Sequence, residues 1–222
     1  MGKEWAWSFS KLKNFETCPH RHQQVDLLKN FSDEGGEALM WGNSVHTSLA
    51  NALGKGVPLP KEMAAYQKWV DRVNSGSGQL LVEQKYAITR DFEKTQYFAP
   101  NVWYRGIGDV VRIDGSVALV LDWKTGRVKD DYTQLALMAQ CIFSHFPFVK
   151  KVRSEYVWLA EDCSTPELFT RQDLADTWVG LLDRVRMMEN AHKTQTYPAR
   201  PGKLCKSWCP VKTCQHNGKA SG

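Results

Sequence analysis

Gly106-Ile-Gly-Asp109-Val-Val-Arg-Ile-Asp114-Gly115-Ser-Val117-Ala-Leu-Val-Leu-Asp122-Trp-Lys124 is the stretch on which the fold turns. Two runs of strand character, Trp103 to Ile113 and Val117 to Lys124, flank Asp114-Gly115, a dipeptide suited to the left-handed backbone of a tight hairpin turn. Folding the chain about that turn lays Asp109 beside Asp122 on adjacent strands. Period-two alternation places Asp109 on one face with Ile107, Val111 and Ile113, and places Asp122 on the same face as Lys124. Taken alone, Asp122 and Lys124 read as a strand-end salt bridge rather than as a site. Asp109 changes the reading, because an unpaired carboxylate is costly among apolar neighbours. Two carboxylates side by side repel unless a cation lies between them, and oxygen ligands suit Mg2+ or Mn2+.

Outward from the hairpin, Leu80, Val82, Tyr86 and Ile88 alternate as one face of a preceding strand, with Leu81, Glu83 and Lys85 on the other. Glu83 is placed equally well to reach a metal or to face solvent. Three helical stretches come first. Ser10 caps one through Leu12 and Phe15 that ends near Pro19. Ala38 to Leu53 forms the second, with Trp41, Val45, Leu49 and Ala52 in helical spacing and Gly54 as its stop. Lys61 to Asn74 forms the third, followed by a flexible break at Ser75-Gly-Ser-Gly78. Downstream, Asp130 or Asp131 opens a helix through Leu135, Ala139, Ile142 and Phe146. Val152 to Leu159 reads as a fourth strand, and Thr170-x-x-Asp173 opens a long helix through Leu174, Trp178, Leu181 and Val185. This order predicts an α/β fold. In the second helix, Gly42 costs about 1 kcal/mol against alanine, so something approaches closely there, and His46 one turn later is a third candidate ligand.

At 222 residues, 42% hydrophobic and 25 aromatics, the chain can build a core without disulfides, which excludes a disordered, collagenous or coiled-coil protein. No apolar run approaches the ~20 residues of a membrane-spanning helix. The N-terminal segment Met1-Gly-Lys-Glu-Trp-Ala-Trp has no apolar signal core, so a cytoplasmic location with reduced thiols is expected. The net charge of +5 is confined to one end. Asn190 to Gly222 carries Lys193, Arg200, Lys203, Lys206, Lys212 and Lys219 and no acid, a pattern of either a solvated surface or a phosphate-contacting segment. The same tail holds Cys205, Cys209 and Cys214, three of six cysteines, beside Pro and Gly rather than in any periodic pattern. In a reducing compartment such spacing binds metal, and a fourth ligand is required. Cys141 on an apolar helix face and Cys163 in an acidic loop read as free thiols. No Gly-x-x-x-x-Gly-Lys-Ser/Thr is present, so any ATP-driven partner must be another chain.

Five elements taken in order resemble the RecB-like branch of the PD-(D/E)XK nucleases, which includes the CRISPR-associated RecB-like nucleases and the AddB helicase-nuclease subunit. They are Ser8-Phe-Ser-x-Leu-x-x-Phe-x-x-Cys18-Pro19, Gly42-x-x-x-His46, Gly108-Asp109, Asp122-x-Lys124-Thr-Gly126 and Gln134-Leu-x-Leu, with the Cys-rich tail after them. The resemblance implies a restriction-endonuclease-like core, a mixed sheet flanked by helices, forming one nuclease domain over residues 1–222. It implies that His46, Asp109 and Asp122 hold Mg2+ or Mn2+, that Lys124 positions or activates water, and that Glu83 and Gln134 assist. Many members carry Tyr four residues after the Gln, where this chain has Met138. The iron-sulfur members place one Cys before the core and three after it. That pattern makes Cys18 the fourth thiolate of a 4Fe-4S cluster with Cys205, Cys209 and Cys214, clamping segments 1–36 and 190–222 together. Zn2+ is the alternative, through the same thiolates or with His20 or His216 replacing one. The implied activity is a metal-dependent DNA exonuclease of recombination, repair or phage DNA processing, acting on single strands or duplex ends in a bacterial cytoplasm or, if phage-encoded, that of the host. A structure-selective or nicking endonuclease is the alternative within the class. The alternative outside it is a nucleic-acid-binding subunit of a recombination or CRISPR-adaptation complex with a helicase or recombination partner. Lys203, Lys206 and Lys212 are the candidate DNA-contacting side chains.

Overall fold

The computed structural model describes residues 5–33 and 35–218, which cluster into two compact units. The first, running from Glu37 to Trp178, is a mixed sheet with helices. Its strands are β1 (Gln79–Ile88), β2 (Lys94–Thr95), β3 (Tyr104–Asp114), β4 (Val117–Lys124), β5 (Lys151–Trp158) and β6 (Cys163–Thr170), in the spatial order β2-β1-β3-β4-β5-β6. Only β4 and β5 run parallel, joined by a crossover through α5 (Thr133–His145). The fold is the α/β arrangement expected, with two strands beyond those foreseen. β2 is two residues long, and β6 has Pro166, Glu167 and a half-buried alternation that suits an antiparallel edge next to β5. Cys163 therefore opens a strand rather than lying in a loop.

The hairpin forms with its turn one residue later than read: Asp114 pairs with Val117, Gly115-Ser116 make the turn with Gly115 at φ +54, and the ladder runs back to Val110 opposite Leu121. Alternation fails at one place. Leu80 packs into the apolar cluster of Val45, Leu49, Val70, Val110, Leu121 and Trp123, whereas Tyr86 stacks edge-on against His145. Between them Glu83 has φ +50, and β1 changes face there. β3 turns opposite it. A Cβ on Gly108 would lie 2.9 Å from Val111, so Val111 sits on the Gly108 side while Val110 joins the other cluster. Asp109 and Val111 thus do not share a face. An added twist of this kind in both strands is what aims a side chain out of a sheet.

Above this sheet face lies α3 (Glu37–Lys55), which buries Val45, Leu49 and Ala52 at helical spacing. Its stop is Gly56 rather than Gly54. Gly56 takes φ +67 and donates to Ala52 O, and Val57 N reaches Asn51 O, the double closure that a left-handed glycine permits. The stretch predicted as a third helix is a 3-10 turn (Lys61–Tyr66) running into α4 (Gln67–Asn74). The Ser75–Gly78 segment is pinned, not free. Buried Arg112 donates to the carbonyls of Ser77, Gly78 and Val73.

The second unit gathers Trp7–Gly36 with Val179 onward. Helix α1 (Phe9–Thr17) is capped by Ser8, whose hydroxyl accepts from Lys11 N, so the cap falls two residues before Ser10. Helix α2 (Pro19–His22) continues into a π-turn over Gln23–Leu27. Helix α6 (Asp173–Thr194) starts at Asp173, which accepts from Thr170 N and Thr170 Oγ1. In this unit Arg184 forks onto both carboxylate oxygens of Glu16, at 2.5 and 3.0 Å. Among the described residues no helix is long and apolar enough to cross a membrane.

Candidate active site and cysteine cavity

Strand register builds the site. Asp109 stands opposite Glu83 across the β1–β3 ladder, at the one step between Val82↔Val110 and Gln84↔Gly108 where no backbone pairing forms. On its other side the β3–β4 ladder ends at Val110↔Leu121, one step short of pairing Asp109 with Asp122. There Asp109 Oδ2 accepts the Trp123 backbone N–H at 2.8 Å. The carboxylate thus replaces a ladder bond, which keeps the amide satisfied where the strands part. His46 reaches the same oxygen from α3, its Nδ1 3.4 Å from Asp109 Oδ2. Gly42 explains how the helix comes so near. A Cβ there would sit 3.2 Å from Thr125 Oγ1, directly after Lys124.

Two triads result. His46, Glu83 and Asp109 each offer one ligand atom, all within 4.8 Å of one another. Beside them, Asp122 Oδ2 lies 2.5 Å from Lys124 Nζ. Gln134, from the first turn of α5, bridges this pair, its Nε2 donating to Asp122 Oδ1 at 2.6 Å while its Oε1 accepts from Lys124 at 2.9 Å. Gln134 thus spends both ends of its amide in fixing the other two side chains. Tyr156 of β5 was not foreseen as part of the site. Its ring lies 5.0 Å from Lys124 Nζ and its hydroxyl donates to Asp131 O. The parallel register Asp122↔Tyr156 puts it there, a pairing that only the crossover topology reveals. Met138 is buried against the bare backbones of Gly106 and Gly108, a packing role rather than a polar one.

Electrostatics couple the two triads. The hydrogen bond with Asp109 raises the His46 pKa above its usual value despite burial, and the charges of Asp109, Asp122 and Glu83 add to the rise. Burial, then the Asp109 charge, raises Glu83. Asp122 is pushed up to about 6, by burial first and by Asp109, against the pull of Lys124. Its Oδ2 is buried without a well-aligned hydrogen bond, although the ammonium lies close. Burial and the neighbouring Asp109 carboxylate both oppose ionisation of Asp122, and a divalent cation beside the two would favour it. Oxygen donors with a single imidazole fit Mg2+ or Mn2+.

In the second unit Cys18, Cys205, Cys209 and Cys214 line one cavity of about 250 Å³, with His20, Arg21 and His216 also on its walls. Backbone N–H groups of Arg200 and Gly202 point at Cys18 Sγ and Cys205 Sγ, each at 3.4 Å. Burial raises the Cys209 pKa, Cys205 and Cys18 add to it, and Arg21 opposes them. Among the described residues from Lys203 onward Val211 is the buried apolar side chain, while Leu204 and Trp208 are 48% and 70% exposed. The tail is held instead by Asn217, buried and donating to the carbonyls of Cys209 and Val211, each at 2.9 Å. Nothing in the spacing of the tail signalled that residue. Lys203, Lys206 and Lys212 are exposed, and Lys203 edges the cavity. Lys219, and the N-terminal segment before Trp5, lie outside the described residues.

A mixed sheet whose central hairpin presents two carboxylates and a lysine, faced by a histidine from a helix, defines the restriction-endonuclease-like class of nuclease folds. The chain belongs to the PD-(D/E)XK nuclease superfamily, which its sequence matches over residues 6–214. No curated protein matches the sequence. Among solved structures it is similar to a protein from Eubacterium rectale named provisionally as an exonuclease, at 12% identity and TM-score 0.56, covering 98% of this chain and 88% of that one. It is similar also to SSO0001, at 14% identity and TM-score 0.51, covering 98% and 89%. At such identities the likeness is one of fold.

Proposed function

We propose that the protein is a Mg2+- or Mn2+-dependent deoxyribonuclease of the RecB-like branch, working as an exonuclease on DNA ends. The observation that carries this reading is the convergence of His46, Glu83 and Asp109 within 4.8 Å, next to the Asp122–Lys124–Gln134 triad. His46, Asp109 and Asp122 are the proposed ligands, and the geometry favours adding Glu83 to them. A divalent cation held there would supply Lewis acidity at the scissile phosphate and make water nucleophilic near neutral pH. The chain's own groups do the remainder. Lys124 sets a fixed positive charge where negative charge grows in the transition state. Gln134 is a positioning residue that keeps the lysine and Asp122 in register. Trp123 N–H fixes the Asp109 carboxylate, leaving its other oxygen to a ligand.

In this reading Cys18, Cys205, Cys209 and Cys214 hold a 4Fe-4S cluster that clamps the terminal segments of the second unit, and residues 1–222 act as one nuclease. The shared cavity supports it. All four thiols line it, as either centre requires, and the order of one Cys before the core and three after it favours the cluster over zinc. Lys203, Lys206 and Lys212 are proposed to add sequence-independent phosphate affinity. The test is incubation with end-labelled linear and closed circular DNA in Mg2+, Mn2+ or chelator. Loss of label from linear DNA alone, abolished by chelator, is the expected result. Cleavage of circles would make the protein an endonuclease, and no metal-dependent cleavage of either would refute the reading.

A further inference from the structure

The sheet face that carries Glu83 and Asp109 continues along β1 and β3. In register beyond them come Lys85 opposite Ile107, then Ala87 opposite Arg105. At about 3.4 Å per strand residue, these levels lie ~7 and ~14 Å from the carboxylates. The loop before β3 folds Tyr97 and Phe98 onto this strip, their rings 5.0 Å apart and edge-to-face. Lys85 Nζ lies 5.5 and 5.7 Å from the two ring centroids, and the Arg105 guanidinium 5.3 and 5.6 Å. Phe98 is 74% exposed and Ile107 41% exposed, on a face next to a cluster of acids. Neither cation has a carboxylate partner among the described residues, and Arg105 Nε is buried without any hydrogen bond. The rings thus hold two cations whose charge no described carboxylate neutralises. Stacking platforms flanked by cations are what flexible single strands use, because every base has a π-face and every linkage a negative charge.

We infer that Phe98 and Tyr97, with Lys85 and Arg105, form a binding site for single-stranded nucleic acid that leads the strand to Asp109. The site deepens the proposed nuclease function and rests on it for the identity of the ligand. Phe98 stacks a base a few nucleotides from the metal-binding triad, and the two cations follow the backbone. A duplex end would have to fray to use this strip, so the substrate class is a single strand or an unpaired terminus.

The test uses the full-length protein and fluorescein-labelled oligothymidine, read by anisotropy in chelator so that binding is separated from cleavage. Phe98→Ala should weaken binding roughly tenfold. Lys85→Gln with Arg105→Gln should flatten the log–log salt slope by about 1.4, at ~0.7 per single-strand phosphate contact. Phe148→Ala, an equally surface-placed aromatic outside the strip, should bind as the parent does. Unchanged oligothymidine affinity in the first two variants would overturn the site. An equal loss on blunt hairpin duplex would overturn the single-strand assignment. A parent that cleaves in Mn2+ while the variants bind normally refutes this site alone. A parent that binds through it and never cleaves refutes the nuclease reading alone.

Discussion

The acidic site and the cysteine cavity are built by opposite means. Asp109, Asp122 and Glu83 are placed by strand register over a packed apolar cluster, with His46 brought in by a helix that buries its own stripe. Of the tail's cysteines, Cys205 sits in a 3-10 turn (Lys203–Lys206) and Cys209 and Cys214 on irregular backbone after it, with Val211 as a buried apolar anchor and Asn217 tying the carbonyls of Cys209 and Val211. The first arrangement is a product of folding and exists ahead of its ligand. The second rests on little burial, so a metal bound there, as proposed, would contribute folding energy outright.

The largest effect is expected in the tail. Cys209→Ser should take anaerobic protein from about four iron per chain to none, with loss of colour and of soluble yield. Cys163→Ser, in a strand, should change none of these. Elemental analysis giving one zinc and no iron in the parent would refute the cluster yet keep the contrast, and full soluble yield of Cys209→Ser would break it. In the sheet, Asp109→Asn should leave yield and melting nearly intact, because the amide oxygen can still accept Trp123 N–H, while cleavage falls roughly 10²–10³-fold. Unfolding of that variant would show that this site, too, depends on its charge for structure.

The scaffold under the sheet supplies the smallest effect. Glu155 is buried on β5. Burial opposes its ionisation, but hydrogen bonds from Arg153 at 2.6 Å and Arg72 at 2.9 and 3.0 Å hold its pKa below 4.5. A depressed carboxylate contributes stability that is full above 4.5 and is lost as pH falls through the folded value. The parent should therefore melt lower as pH drops below about 4.5. Glu155→Gln should be less stable at pH 7 by about 1–3 kcal/mol and show a shallower acid slope. An unchanged slope would place the acid sensitivity elsewhere.

The sequence made the hairpin and the nearness of Asp109 to Asp122 and Lys124 readable, since alternation and a glycine turn are local signals, whereas Gln134 was singled out only through the family resemblance. What it hid was non-local. Glu83 looked ambivalent because a period of two assigns one face per strand, and the positive φ at Glu83 gives β1 two. Tyr156 enters through a parallel pairing that no spacing within β5 announces. Strand β6 was missed because Pro166 and Glu167 are tolerable only at an edge, and edges are defined by neighbours. Cysteine spacing flagged the cavity, whereas Asn217, which holds the backbone there, has no pattern of its own.

The hairpin turn at Gly115-Ser116 also bears on the order in which the site assembles. A two-residue turn closes in about 1–10 μs, whereas bringing His46 to Asp109 requires closing a long loop through α4 and β1. Asp109 and Asp122 are therefore expected to come together before His46 reaches them, an order that protection of β3 and β4 amides ahead of α3 in pulsed hydrogen exchange would check. Lys124, two residues from Asp122 and on the same strand, arrives in the same step, 2.5 Å from the more buried carboxylate. The lysine that serves the finished site thus also shields a repulsion that would otherwise oppose the zipping of β3 onto β4.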